Sequence, residues 1–67
     1  MTLRARIVEV YGKQEAFASA MGSTPATISN KVRGVAEWRS DEIRKACSLL
    51  RIPRSEVGEV FFPEVNQ

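Results

Sequence analysis

The sequence predicts an all-α fold, a single compact domain of five short helices over residues 1–67. Apolar residues recur at spacings of three and four, which places them on one face of a helix. Glycines and prolines interrupt this pattern at short intervals, so each predicted helix is brief. No segment alternates between apolar and polar residues for long enough to predict a strand.

The first predicted helix occupies the stretch "TLRARIVEVYG". Its apolar residues follow the i, i+4, i+7, i+8 pattern of one helix face, and they are Leu3, Ile7, Val10 and Tyr11. Thr2 is a suitable N-cap, because its hydroxyl can accept from a backbone N–H of the first turn. Gly12 ends the helix, since glycine adopts the left-handed conformation just past a helix terminus.

The second helix places Phe17, Ala20 and Met21 on one face and ends at Gly22. The third follows at once: Thr24 is a favourable N-cap, and Pro25 is tolerated at the first helical position. Its apolar residues are Ile28 and Val32, and it ends at Gly34, so "MGSTPATISNKVRG" predicts a helix, a tight turn and a helix.

The fourth helix begins with the acidic pair Asp41 and Glu42, which suits the positive end of a helix dipole. Pro53 ends it, and the apolar residues of the fourth and fifth helices are Ile43, Ala46, Cys47, Leu50, Val57, Val60 and Phe61. The final "FFPEVNQ" is compatible with a docked coil, a short extended segment or a frayed end.

The composition argues against catalysis and against a metal or cofactor site. Histidine is absent, which removes the commonest general base and metal ligand. The single cysteine, Cys47, excludes an intramolecular disulfide, and its position on the apolar stripe predicts a small core side chain. The glycines are isolated, so no phosphate-binding loop is present. We therefore expect no catalytic residue, no metal and no cofactor.

Basic residues concentrate in the body of the chain. Residues 1–54 carry ten Lys and Arg against five acids, for a charge of +5, and residues 55–67 carry three Glu, for −3. This distribution suits a surface that binds a polyanion, although scattered solubilising charge explains it equally well. No apolar run approaches the length of a membrane span, so a cytoplasmic protein without membrane contact is expected.

The stretch from Gln14 to Gly34, "QEAFASAMGSTPATISNKVRG", resembles the helix-turn-helix of the phage Cro and repressor family of DNA-binding domains. Gln14 and Glu15 open helix two, and small Ala18 lets the two helices approach. The ending "SNKVRG" is similar to the "S-x-K-L-x-G" ending of small phage repressors. The following "EWRSDEIRKACSLLRIPRSEVGEVFFPE" looks like the fourth and fifth helices of that family.

The resemblance implies a repressor-like domain that occupies a double-stranded DNA operator through helix three in the major groove. It also implies a transcriptional regulator in the cytoplasm of a bacterial host, at the nucleoid. Three positions depart from the family pattern: Lys13 is a poor cap for helix two, Ser23 replaces a usually apolar turn residue, and Pro25 replaces a base-reading Gln. Sequence specificity is therefore less secure than DNA binding itself.

The residues expected to contact DNA are Lys13, Gln14, Thr24, Ala26, Thr27, Ser29, Asn30, Lys31 and Arg33. Asn30 suits a bidentate contact with adenine, with a plain solvated side chain as the alternative. Lys31 and Arg33 are expected to bind phosphates, which receive about half or more of the protein–DNA hydrogen bonds. The short side chains of Ala26 and Thr27 would let the helix sit deep in a groove, or are ordinary helix surface.

Proteins of this type bind two half-sites as dimers, so a weak homodimer is expected on the C-terminal side. Its apolar residues would be Val60, Phe61, Phe62 and Val65, and the alternative is that both Phe complete the monomer core. Trp38 lacks an aromatic neighbour and is expected to fill the core between helices three and four. A second hypothesis is a helical protein-interaction module, part of an antirepressor or antitoxin, without operator binding.

Overall fold

The computed structural model describes residues 1–63, in which the predicted helices follow one another in order. They are α1 (Leu3–Tyr11), α2 (Gln14–Ala20), α3 (Pro25–Val32), α4 (Ser40–Leu50) and α5 (Val57–Phe61), with a short 3-10 helix (Arg54–Glu56) before α5. The all-α prediction is confirmed, and residues 1–63 contain no strand. The end of "FFPEVNQ", residues 64–67, lies outside the described residues, and Val65 with it.

Local capping defines the helix ends that the sequence predicted. The Thr2 hydroxyl accepts from the Ala5 N–H at 3.1 Å, and the Thr24 hydroxyl accepts from the Thr27 N–H at 3.2 Å. The predicted stop residues have positive φ, with values of 81°, 71° and 81° at Gly12, Gly22 and Gly34. These angles suit glycine, because other L-residues are strained there.

The core is small and includes residues of all five α-helices. Its buried residues are Leu3, Ile7, Phe17, Ala18, Met21, Ile28, Ala46, Leu50, Ile52, Val60 and Phe61. Ala18 has no exposed surface, in agreement with its expected role of letting helices two and three approach each other. Cys47 packs against this core as expected, and partial burial raises the pKa of its thiol.

Val10 does not belong to this core, and its prediction from helical spacing was wrong. Its side chain is 42% exposed. The side of α1 that faces the core carries Leu3, Ile7 and Tyr11, which are four residues apart. Each of these positions is displaced by about 40° around the helix axis from the one before it. The Tyr11 ring meets Phe17 of α2, with centroids 5.6 Å apart, so the last turn of α1 faces α2 on the Tyr11 side and leaves Val10 to solvent.

Trp38 lies in the segment between α3 and α4 and is half-buried against the core. No aromatic residue is near it in sequence, but the fold brings Phe61 to it in an edge-to-face contact with centroids 5.3 Å apart. Val60 and Phe61 are buried in the monomer, whereas Phe62 is 43% exposed. Of the four residues expected at a dimer interface, two therefore serve the monomer core.

Two basic side chains cap helices that are distant in sequence. The Arg6 Nε of α1 donates to the Leu50 carbonyl at 2.7 Å, at the end of α4. The Lys45 Nζ of α4 donates to the Met21 carbonyl at 3.3 Å, just past α2. Cations at a helix C-terminus are favourable, and these contacts connect α4 to α1 and to the end of α2. Among the described helices, none is both long and apolar enough to cross a membrane.

Candidate nucleic-acid interface

The third helix has one buried side and one outer side. Ile28 is 1% exposed and anchors the buried side, with Val32 packed against the core. At 100° per residue, Asn30 lies about 160° from Ile28 around the helix axis. Ala26 and Thr27 are exposed and Asn30 is half-buried. The outer side of α3 therefore carries short, uncharged side chains.

The start of α3 is ordered by two threonines. Thr24 accepts from the Thr27 N–H, and its hydroxyl also donates to the Thr27 hydroxyl at 2.9 Å. Pro25 occupies the first helical position, as predicted. Both hydroxyls lie on exposed residues, so the first turn of α3 is held in place and remains accessible.

Asn30 and Arg33 are connected at the end of α3. The Arg33 Nη2 donates to the Asn30 Oδ1 at 2.8 Å, and Arg33 is exposed. An amide oxygen has two lone pairs and its nitrogen two N–H groups, so Asn30 keeps the acceptor and donor that a base contact requires. The hydrogen bond places a cation beside the amide that was expected to contact a base.

Lys31 points toward the protein body. Its Nζ forms an ion pair with the Glu42 Oε1 of α4, and its side chain is only 10% exposed. The same ammonium lies 5.8 Å from the centre of the Trp38 ring. The sequence led us to expect a phosphate contact from Lys31, but in the folded chain its charge is neutralised internally.

Besides Lys31, Glu42 has a second partner, the backbone at the start of α4. Its Oε1 accepts from the Arg39 backbone N–H at 2.8 Å, as expected of an acidic residue in the first turn of a helix. The hydrogen bonds from Lys31 and from the Arg39 backbone lower the pKa of the Glu42 carboxyl, against a smaller opposite effect of burial. Lys31 and Glu42 are eleven residues apart, so no local spacing indicates their pairing.

The remaining predicted site residues lie at the start of α2 and on the flank of α3. Lys13 is exposed and makes no side-chain cap, as expected from its poor capping chemistry. Gln14, the first residue of α2, and Ser29 on α3 are half-buried. These positions are compatible with contacts to a ligand, but they do not by themselves define one.

Residues 1–64 match a family described as "Protein of unknown function (DUF739)". The chain is a member of the DUF739 family. The match covers nearly the whole sequence and includes α1 to α5. A search of curated proteins finds no match to this DUF739 chain.

The α3 helix of this DUF739 protein, with its C-cap Arg33, contains no carboxylate: its sequence is "PATISNKV". Its outer side combines small side chains, two hydroxyls, an amide and a nearby exposed guanidinium. Such a surface can donate and accept hydrogen bonds and can approach an anionic polymer without charge repulsion.

Proposed function

We propose that this protein is a sequence-specific double-stranded DNA-binding regulator of transcription, which occupies an operator by placing α3 in the major groove. The observation that carries the proposal is the outer side of α3, with Ala26, Thr27 and Asn30 exposed or half-exposed around a helix whose opposite side is anchored by Ile28. The resemblance of residues 14–34 to the phage Cro and repressor family supports it.

The physical argument rests on size and charge. The major groove is about 12 Å wide and admits one α-helix. Short side chains let the helix backbone come close to the base edges, and the absence of a carboxylate on α3 avoids repulsion by the phosphates. The Thr24 side chain caps α3 and holds its first turn in place before binding. Less conformational entropy is therefore lost on association.

The polar residues on the outer side of α3 and at the helix ends beside it have proposed roles. Asn30 binds the N6 and N7 atoms of an adenine, and Arg33 binds a phosphate next to it. Thr24, Thr27 and Lys13 contact the sugar–phosphate backbone at the start of the two helices. We assign no DNA contact to Lys31, because its ammonium already forms an ion pair with Glu42.

The experiment is a salt titration with fluorescently labelled duplexes of random sequence and of sequences selected by the protein. Wild type should bind with a steep salt dependence, and Arg33→Ala should lower the slope of log K against log salt by about 0.9, the value for one lost phosphate contact. Arg54→Ala is the matched control, because Arg54 is also exposed but lies in the 3-10 helix before α5. Absence of binding at low salt would overturn the proposal, as would equal slopes for the two variants.

One observation favours the alternative, a module that binds another protein. A groove of about 300 Å³ lies between α4 and the segment that leads into α5, lined by Ile43, Cys47, Ile52 and Val57 with Arg44 and Arg54. Neither arginine has an ion-pair partner within residues 1–63. An acidic segment of a partner protein would fit this groove, and a titration that detects no DNA binding would favour this function over the first.

A further inference from the structure

Lys31 lies at the border between the outer and buried sides of α3. At 100° per residue it is about 40° from Thr27, which is exposed, and about 60° from Ile28, which is in the core. A flexible lysine at such a position can turn its ammonium toward a ligand on the outer side or toward the body. In this structure it turns toward the body.

The site that holds the ammonium is built from residues outside α3. Glu42 supplies the carboxylate, and the Arg39 backbone N–H holds that carboxylate at 2.8 Å. Trp38 supplies the ring beside the ammonium, and the edge-to-face contact with Phe61 holds the ring. The partners of Lys31 are therefore fixed independently of α3.

We propose that Glu42 is a positioning residue, which competes with DNA phosphates for the Lys31 ammonium. By holding Lys31, it lowers the affinity of the protein for DNA, whatever the DNA sequence. This inference rests on the proposed function. A DNA phosphate would replace one anion beside Lys31 with another and would leave Glu42 without its cation, so the exchange gains little. Removal of the Glu42 charge makes Lys31 available for a phosphate contact.

The test is Glu42→Gln, which keeps an amide oxygen to accept from the Arg39 N–H but removes the charge. Binding to selected and random duplexes is measured between 50 and 200 mM salt. We expect the slope of log K against log salt to steepen by about 0.9, equivalent to an additional 3.5-fold loss of affinity over this range. The gain of affinity at low salt should be similar for both kinds of duplex, because a phosphate contact carries no sequence information.

The control for a general charge effect is Asp41→Asn, which changes the net charge equally in the same turn of α4. Asp41 pairs with the Arg39 side chain at 3.4 Å, and both side chains are exposed. The double variant Lys31→Met/Glu42→Gln should lose the gain, because methionine keeps the apolar stem against Trp38 without the ammonium. A gain that matches Asp41→Asn, or that persists in the double variant, would overturn the inference.

A second variant tests the inference even if Glu42→Gln does not fold. Lys31→Met alone should leave the slope of wild type unchanged, because Lys31 does not bind phosphate in the wild-type complex. A slope that falls by about 0.9 would contradict the inference while supporting DNA binding by α3. Failure of wild type to bind either duplex would overturn the proposed function, and the inference with it.

Discussion

At the residue scale, Asn30 has one observed interaction, with Arg33, and one proposed interaction, with a DNA base. Substitution of Asn30 by alanine removes both. Its Oδ1 accepts from Arg33 at 2.8 Å, and its amide is proposed to bind a base. The first interaction lies between exposed or half-exposed groups and contributes little to stability. The second would be made only on the preferred sequence, so the two can be separated by comparing duplexes.

We predict that Asn30→Ala costs about 1–3 kcal/mol of binding free energy on the selected duplex, as expected for one lost bidentate contact. Affinity for random DNA should change little, because Arg33 keeps its charge. A salt titration on both duplexes measures the ratio of the affinity for the selected duplex to that for random DNA. Circular dichroism verifies the fold. Ser48→Ala, at an exposed position on α4 outside the predicted site, is the control. An unchanged ratio of selected to random affinity would show that Asn30 does not contact bases.

The lowered pKa of Glu42 leads us to predict that the stability of the protein depends on pH. The pKa of the Glu42 carboxyl is lowered in the folded protein from the usual 4.5, mainly by the hydrogen bond from Lys31. The folded state then binds fewer protons than the unfolded state in this range, so the contribution of Glu42 is complete above about pH 4.5 and is lost as the pH falls through the lowered pKa.

Urea unfolding of wild type and Glu42→Gln between pH 3 and pH 7 measures this contribution. The difference in the free energy of unfolding should be largest near pH 6 and should shrink toward pH 3. Asp41→Asn is the control, because the pair of Asp41 with Arg39 is exposed and contributes little to stability. A constant difference between wild type and Glu42→Gln would mean that the ion pair does not stabilise the fold.

At the element scale, most helix boundaries could be predicted because their signals are local; the end of α4, where Arg51 has the left-handed conformation, was not predicted. Thr24, Pro25 and the glycines act through their own backbone angles and through hydrogen bonds spanning three or four residues. The interaction of Lys31 with Glu42 and the cap of Arg6 on Leu50 connect residues 11 and 44 positions apart, so they depend on how the helices pack. For the same reason, spacing placed Val10 correctly on a helix but wrongly in the core.

The cap of α3 gives a prediction at this scale. Thr24→Ala should destabilise the protein by about 1 kcal/mol, because the Thr27 N–H loses its acceptor. Thr24→Ser keeps the hydroxyl and should be close to wild type. Thr27→Ala is a further control, since its backbone N–H and the cap remain. Urea unfolding compares the four proteins, and equal stability of Thr24→Ala and Thr24→Ser would contradict the role of the cap.

At the scale of the whole molecule, stability rests on few buried side chains. A domain of 67 residues has a free energy of unfolding of about 3–10 kcal/mol. Phe61 closes the core between α5 and Trp38, whereas the adjacent Phe62 is 43% exposed. The two neighbouring phenylalanines thus have different environments, which composition and spacing alone did not distinguish.

This difference separates folding from self-association. Phe61→Ala should destabilise the monomer by about 3–5 kcal/mol, enough to unfold much of the protein, because a buried aromatic ring and its contact with Trp38 are lost. Phe62→Ala should remain folded. If the expected dimer forms on the C-terminal side, its association should weaken in this variant, because an exposed aromatic side chain contributes apolar area to an interface.

Sedimentation equilibrium over a range of concentrations, with and without a selected duplex, measures the association of the folded variants. Val8→Ala is the control, because Val8 is also an exposed apolar residue, at 52%, but lies on α1. Wild type and Val8→Ala should place two proteins on each operator, whereas Phe62→Ala should require higher concentrations to fill the second half-site. If Phe62→Ala associates like wild type, the dimer does not use Phe62; if wild type binds one protein per operator, no dimer forms on DNA.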